Sequence, residues 1–329
     1  MAKIRDTLRR VGLNNFFFLL VGMIFLAKYF PSWGTADSPL PLKFITGIGI
    51  SVIFFFYGVK LSPQKLKEGL SNWKLHLVVQ ATTFLVFPLV VLLFYWLFGD
   101  ADSYLWLGTF YLAALPSTVS SSVVMVSIAG GNLPAAIFNA SISSIVGIFI
   151  TPIWMDFMLP EAAVAFDLTT TVIRLSFQIL LPVTLGLLLH HRLIGFVNKN
   201  QLTLKNFDQA VILLIVFTAF AESFAEDMFA GHSTVKMLVL AVLMLGFFFM
   251  MLALMYGISQ GLRFSREDTI TVMFCGSKKS LVQGAVMGRV MFPDPVVFGI
   301  ILLPLMVYHA IQLMAGSALA QKMGEQDKR

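Results

Sequence analysis

The chain has 329 residues, of which 58% are hydrophobic and only 12% charged, and its mean hydropathy is +0.85. A water-soluble domain carries about a quarter charged residues, so this chain has too little polar side chain to cover a soluble surface, a need that lipid removes. Its net charge of +6 does not point to nucleic acid, because no basic patch alternates with polar, foldable sequence and the cations sit at the ends of apolar runs, where they set membrane orientation.

Lys3, Arg5, Arg9 and Arg10 precede the first apolar run. No small-residue cleavage site follows cleanly, so that run is read as a retained span and not as a signal peptide. A helix needs about 20 apolar residues to cross the hydrocarbon core. Spans are expected near 12–30, 41–60, 74–98, 104–129, 133–158, 169–190, 207–225, 234–259, 268–289 and 295–318, the seventh being short. All should be helical, because backbone groups in lipid must bond within their own segment.

Loop charges support ten spans with both termini in the cytoplasm. On that side fall Lys60, Lys65, Lys67 and Lys74, then Arg192, Lys199 and Lys205, then Arg263 and Arg266, then Lys322, Lys328 and Arg329. The opposite loops carry Asp100, Asp102, Asp156, Glu161, Asp167, Glu222, Glu226 and Asp227 with few cations. Trp33, Trp73, Trp96, Trp106 and Trp154 lie near span ends, as an interfacial aromatic belt requires. The expectation is a multi-pass protein of the cell's inner (plasma) membrane whose partner is the lipid bilayer.

Five spans in each half, 1–160 and 161–329, reverse the second half relative to the first, which is the arithmetic of an inverted repeat. The fourth span of each half is interrupted. Leu115-Pro116-Ser117-Thr118-Val119-Ser120-Ser121-Ser122 breaks span four, and Cys275-Gly276-Ser277-Lys278-Lys279-Ser280 breaks span nine. Paired interruptions at corresponding places point to a transport site at the bilayer midplane.

Lys278 and Lys279 lie too deep in span nine to snorkel easily. A cation there costs at least about 2.5–3.5 kcal/mol, so two in a row need a polar or wet setting. They form either a positive site facing a cavity or fixed cations that satisfy broken-helix carbonyls. Adjacent helical residues point about 100° apart, so the two should not share one role. The hydroxyls of Ser117, Thr118, Ser120, Ser121 and Ser122 either bond carbonyls freed around Pro116 or line a solute path. Gly130-Gly131-Asn132 before Pro134 reads as a turn. Asn139, Ser141, Ser143 and Ser144 suit close helix packing as well as a site. His309, alone in span ten, reads first as a satisfied buried histidine and second as the best candidate proton carrier.

Enzyme motifs are scarce: no Walker loop, HExxH or CxxC occurs, and deep carboxylates are nearly absent. Cys275 is the single cysteine, which excludes an internal disulfide framework and a cysteine metal cluster. No cofactor is expected, and the chain is not expected to be an enzyme.

The stretches Phe56-Tyr57-Gly58-Val59-Lys60-Leu61-Ser62, Leu115-Pro116-Ser117-Thr118, Gly130-Gly131-Asn132 and Phe274-Cys275-Gly276-Ser277-Lys278-Lys279-Ser280-Leu281 resemble the bile acid:sodium symporter family, solute carrier family 10, and within it the atypical seventh-member branch and its bacterial relatives. The resemblance covers nearly the whole chain. It implies an all-α integral membrane fold of ten transmembrane helices in two inverted five-helix repeats. Spans one, two, six and seven would form a panel domain. Spans three to five and eight to ten would form a core domain in which broken helices four and nine cross. It also implies transport of a small or amphipathic organic anion by alternating access.

The family's sodium ligands carry over poorly. Its span-nine glutamate falls on Cys275 and its glutamine on Lys279, its span-four serine-asparagine pair on Ser122 and Val123, its span-five serine and threonine on Ala136 and Ala140, and its span-three glutamine on Thr83; the span-ten histidine matches His309. Sodium, a hard cation, needs several oxygens. The expectation is that a lysine replaces it, with proton coupling if the ammonium releases its proton when a cavity opens. The seventh-member branch also resembles proteins linked to control of calcium entry, so a membrane regulator without transport of its own is the alternative. A lipid-acting membrane enzyme is disfavoured by the missing carboxylate pairs.

Overall fold

A computed structural model of the chain describes residues 15–35, 38–61, 72–98, 104–158, 168–225 and 234–326. Lys3, Arg5, Arg9, Arg10, Lys65, Lys67, Lys328 and Arg329, and the acids Asp100, Asp102, Glu161, Asp167, Glu226 and Asp227, lie outside the described residues, as do Ser62 and the side chain of Ser120.

Every regular element among the described residues is helical. In chain order they are α1 (Asn15–Tyr29), a 3-10 turn at Pro31–Trp33, α2 (Leu42–Lys60), α3 (Trp73–Phe98), α4 (Tyr104–Ala114), α5 (Ser120–Ala129), α6 (Leu133–Met158) and α7 (Leu168–Leu188). There follow α8 (His190–Lys199), α9 (Gln201–Ala225), α10 (Thr234–Gly261), α11 (Arg266–Gly276), α12 (Leu281–Met291) and α13 (Pro295–Gln326). Six helices (α3, α6, α7, α9, α10 and α13) are long and apolar enough to cross a membrane, and α1, α2 and α4 contain shorter apolar helices. The chain is an integral membrane protein built of α-helices.

Three elements differ from the sequence expectation, one of them α13, which runs to Gln326, eight residues past the expected end at 318. The seventh span is longer than 207–225, because α9 begins at Gln201 with polar turns that an apolar count does not register. Helix α8 was not expected. It is too polar to cross a membrane, yet Leu193 and Val197, one helical turn apart, pack with Val59, Phe55 and Phe56 of α2.

The helices pack in two groups. α1, α2, α7 and α9 lie against one another, and α3–α6 lie with α10–α13; between the groups α9 packs on α13 and α12, and α7 on α6 and α12. Helices α2 and α7 approach so closely that a Cβ at Gly58 would strike the Val183 carbonyl and one at Gly186 the Phe55 carbonyl. His190 Nδ1 lies 2.7 Å from the Val59 carbonyl oxygen, so the two helices run side by side in the same direction.

Helix α3 carries a π-turn at Thr82–Val86, two residues before Pro88, and α7 carries one at Ser176–Leu180, two residues before Pro182. Proline has no N–H to give the carbonyl four residues back, and a π-turn is a common way for a helix to absorb that loss.

Candidate functional site

The two interrupted segments meet. Helix α4 stops at Ala114 and α5 starts at Ser120; α11 stops at Gly276 and α12 starts at Leu281. Between them the Ser280 N–H donates to the Pro116 carbonyl at 3.0 Å. The Ser117 hydroxyl donates to the Cys275 carbonyl at 2.6 Å, and the Ser117 N–H to Ser143 Oγ at 2.9 Å.

Pro116 explains the first break. It disfavours helical backbone in Leu115 and cannot donate to Leu112, so the last carbonyls of α4 need other donors. The Leu112 carbonyl accepts from the Leu115 N–H at 3.3 Å. The Ala114 carbonyl accepts from the Thr151 hydroxyl at 2.8 Å. The Ala113 and Leu115 carbonyls accept from the Lys279 ammonium at 2.6 and 2.8 Å.

A third oxygen reaches that ammonium. In the π-turn of α3 the Phe87 N–H bonds to Thr82 and leaves the Thr83 carbonyl free. Thr83 O then accepts from Lys279 Nζ at 2.7 Å, while the Phe84 carbonyl, which Pro88 cannot serve, accepts from Trp154 Nε1 at 2.6 Å. Each of the three ammonium hydrogens thus has a carbonyl, and the charge lies 4.2 Å from the centre of the Phe87 ring. The end of α4, where its dipole is negative, faces this buried cation.

The second break is held by its neighbours in α13. Tyr308 donates its hydroxyl to the Ser277 carbonyl at 2.6 Å. The Gln312 amide brackets Lys279, accepting from its N–H at 2.9 Å and donating to its carbonyl at 2.8 Å. Ser277 Oγ donates to Met273 O at 2.5 Å, and Ser280 caps α12, its hydroxyl accepting from the Gln283 N–H at 3.2 Å.

Lys278 is equally buried but poorly provided for. Its ammonium reaches the Ser121 carbonyl at 3.3 Å and the Met125 thioether, a weak acceptor, with the Phe274 ring centre at 5.5 Å. Ser121 and Met125 are also wall residues of a cavity of about 860 Å³. Thr118, Ser121 and His309 line it from one helix group, and Lys60, His190, Lys205 and Asp208 from the other. Among these, Lys60 pairs with Asp208 at 3.9 Å, and Asp208 is the only carboxylate of the lining among the described residues.

The expected residues therefore separate. Pro116, Ser117, Cys275, Ser277, Lys279 and Ser280 make or hold the meeting of the breaks, Cys275 through its carbonyl. Thr83 contributes its carbonyl, its hydroxyl being turned back to Val79 at 2.8 Å. Thr118 and Ser121 line the cavity and bond each other at 3.3 Å. His309 lines it too, with Nδ1 at 2.8 Å from Gln312 Nε2. The Ser122 hydroxyl is buried without a hydrogen-bond partner among the described residues. Asn139 stands apart: its side chain lies 2.8 Å from His76 Nδ1 and accepts from Gln80 at 3.2 Å, tying α6 to α3. Among the described residues no cluster of three His, Cys, Asp or Glu side chains could hold a metal.

The sequence reading missed Thr151, Tyr308 and Gln312, and the carbonyls of Ala113, Leu115 and Thr83. Gln312 and Pro88 were visible as polar or helix-breaking residues inside apolar runs; no sequence signal marks an individual carbonyl.

The model of the SBF-like CPA transporter family matches residues 14–325. The Pseudomonas aeruginosa protein PA2026 is 37% identical over 310 residues, 94% of this chain and 92% of that one. The Escherichia coli protein named "Putative symporter YfeH" is 34% identical over 318 residues, 96% of this chain and 95% of its own length. The rat sodium/bile acid cotransporter 7 is 29% identical over 316 residues, 95% of this chain and 93% of its own.

Proposed function

The chain belongs to the SBF-like CPA transporter family, and from that premise we propose that it carries a small or amphipathic organic anion across the bacterial inner membrane by alternating access, with an ammonium group in the role that sodium plays in sodium-driven relatives. The observation that carries this reading is the Lys279 ammonium, saturated by three carbonyls at 2.6–2.8 Å where the two helix breaks meet. The residues present do not fit sodium. The carbonyls around that point are taken by Lys279, and Cys275, Val123, Ala136 and Ala140 offer no hard side-chain oxygen.

In this reading the helices form ten spans in two inverted five-helix repeats, with both termini cytoplasmic. α1, α2, α7 and α9 form the panel, and α3–α6 with α10–α13 the core, α4–α5 and α11–α12 being the broken spans four and nine. The grouping of the packing supports that division. The solute enters the cavity between the groups, drawn by Lys60, Lys205 and the Lys278 charge just behind the Ser121–Met125 wall. Rocking of core against panel exposes it to the other side, and Lys279 keeps the two breaks joined throughout. Proton release from Lys278 would couple this movement to the proton gradient.

Counterflow in proteoliposomes tests the proposal. A saturable signal for at least one member of a broad organic-anion panel, undiminished when choline replaces sodium, is the expected outcome. Strictly sodium-dependent flux would refute the ammonium's role, and no saturable flux across the panel would favour a regulator of calcium entry.

A further inference from the structure

A second groove lies away from the helix breaks. It has a volume of about 1020 Å³, runs along the flank shared by α2 and α7, and ends against the last turn of α12. Its walls include Phe44, Ile48, Phe177 and Leu181, all 47% or more exposed, so the groove opens along its length to the bilayer. An occupant must be at home in hydrocarbon.

One end is not apolar. Arg174 of α7, Arg289 of α12 and the amide of Gln178 line the groove, and among the described residues no carboxylate does. Arg289 Nη1 is buried and makes no hydrogen bond among the described residues. Glu222 of α9 acts on Arg289 electrostatically but is not part of the lining. The side-by-side register of α2 and α7 sets Arg174 level with the first turn of α2, at the helix ends where a headgroup would lie. A guanidinium offers forked donors suited to a phosphate.

We propose that this groove binds an anionic glycerophospholipid, with its phosphate between Arg174 and Arg289 and an acyl chain along Phe44, Ile48, Phe177 and Leu181. The lipid joins α2 and α7 to α12, which belongs to the other helix group. The site stands independently of the transport reading, because its evidence is a different cavity.

The full-length protein, stripped of lipid in detergent, is titrated with dioleoylphosphatidylglycerol or dioleoylphosphatidylcholine, and bound lipid is counted by native mass spectrometry. Phosphatidylglycerol should be held about tenfold more tightly, and Arg174→Gln should cut that preference about fivefold, in line with the contribution of one interfacial cation. Gly47 offers a second variant. A Cβ there would meet nothing within 4 Å, so Gly47→Phe sets a bulky side chain on the groove wall from an unobstructed Cβ. It should lower retention of both lipids while leaving the melting temperature in detergent unchanged. Equal retention of the two lipids by the wild type overturns the proposal. So does an unchanged preference in the Arg174→Gln, Arg289→Gln double variant. Full displacement by equimolar soluble glycerol phosphate would assign the site to a free phosphate ester and overturn it as well.

Discussion

Lys278 and Lys279 are neighbours in sequence with opposite surroundings. Lys279 meets three carbonyls and the Phe87 ring at 4.2 Å, whereas Lys278 meets one carbonyl at 3.3 Å, a thioether and the Phe274 ring at 5.5 Å. Removing Lys279 leaves three buried acceptors without donors, each costing about 1–3 kcal/mol. Lys279→Met should therefore lower thermal stability severely or abolish recovery of folded protein. Lys278→Met removes a weakly bonded charge and substitutes an apolar chain of similar length. It should change stability by less than about 1.5 kcal/mol, measured as melting temperature, and should abolish anion counterflow. Equal losses of stability in the two variants would erase the distinction drawn between them.

The helix breaks depend on space as well as on hydrogen bonds. Gly147 of α6 admits Pro116: a Cβ there would lie 2.8 Å from the proline ring. Gly147→Leu should push α4 away from α11 and cost about 1–3 kcal/mol by overpacking, with loss of counterflow. Gly246 of α10 is the control, since a Cβ there would meet nothing within 4 Å; Gly246→Leu should leave melting temperature and flux unchanged.

The N-terminal ends of α3, α6 and α11 are fastened by Asp268, which accepts from Asn72 and Asn132 at 2.8 Å each. Asp268→Asn keeps an acceptor for only one of the two amides and turns an NH2 donor toward the other, and should cost about 1–3 kcal/mol, read as earlier thermal unfolding. At this scale the sequence was informative where polarity or proline interrupts an apolar run, as at Pro116 and Ser277–Ser280. It was silent where backbone alone does the work. The π-turn that frees the Thr83 carbonyl has no side-chain signature beyond Pro88, and α8 is too short and too polar for a span-length window.

Across the whole molecule, long apolar runs made the membrane helices legible, because lipid leaves a spanning backbone no other partner than itself. The seventh span was read too short because polar Gln201, Thr203, Lys205 and Asn206 open it. The pairing of the breaks could be expected from their matching places in the two halves, but which oxygens would surround which lysine depends on how helices distant in sequence pack. Residues 83, 113, 115 and 279 come from α3 and from the two helix breaks with the end of α4.

The sodium dependence of thermal stability tests the ammonium's role without any knowledge of the solute. Purified protein is melted at constant ionic strength while choline is exchanged for sodium. A fixed ammonium at the meeting of the breaks predicts a melting temperature that does not respond to the exchange. A saturable rise with sodium, absent with choline, would show a metal ion bound in the folded state and contradict the account.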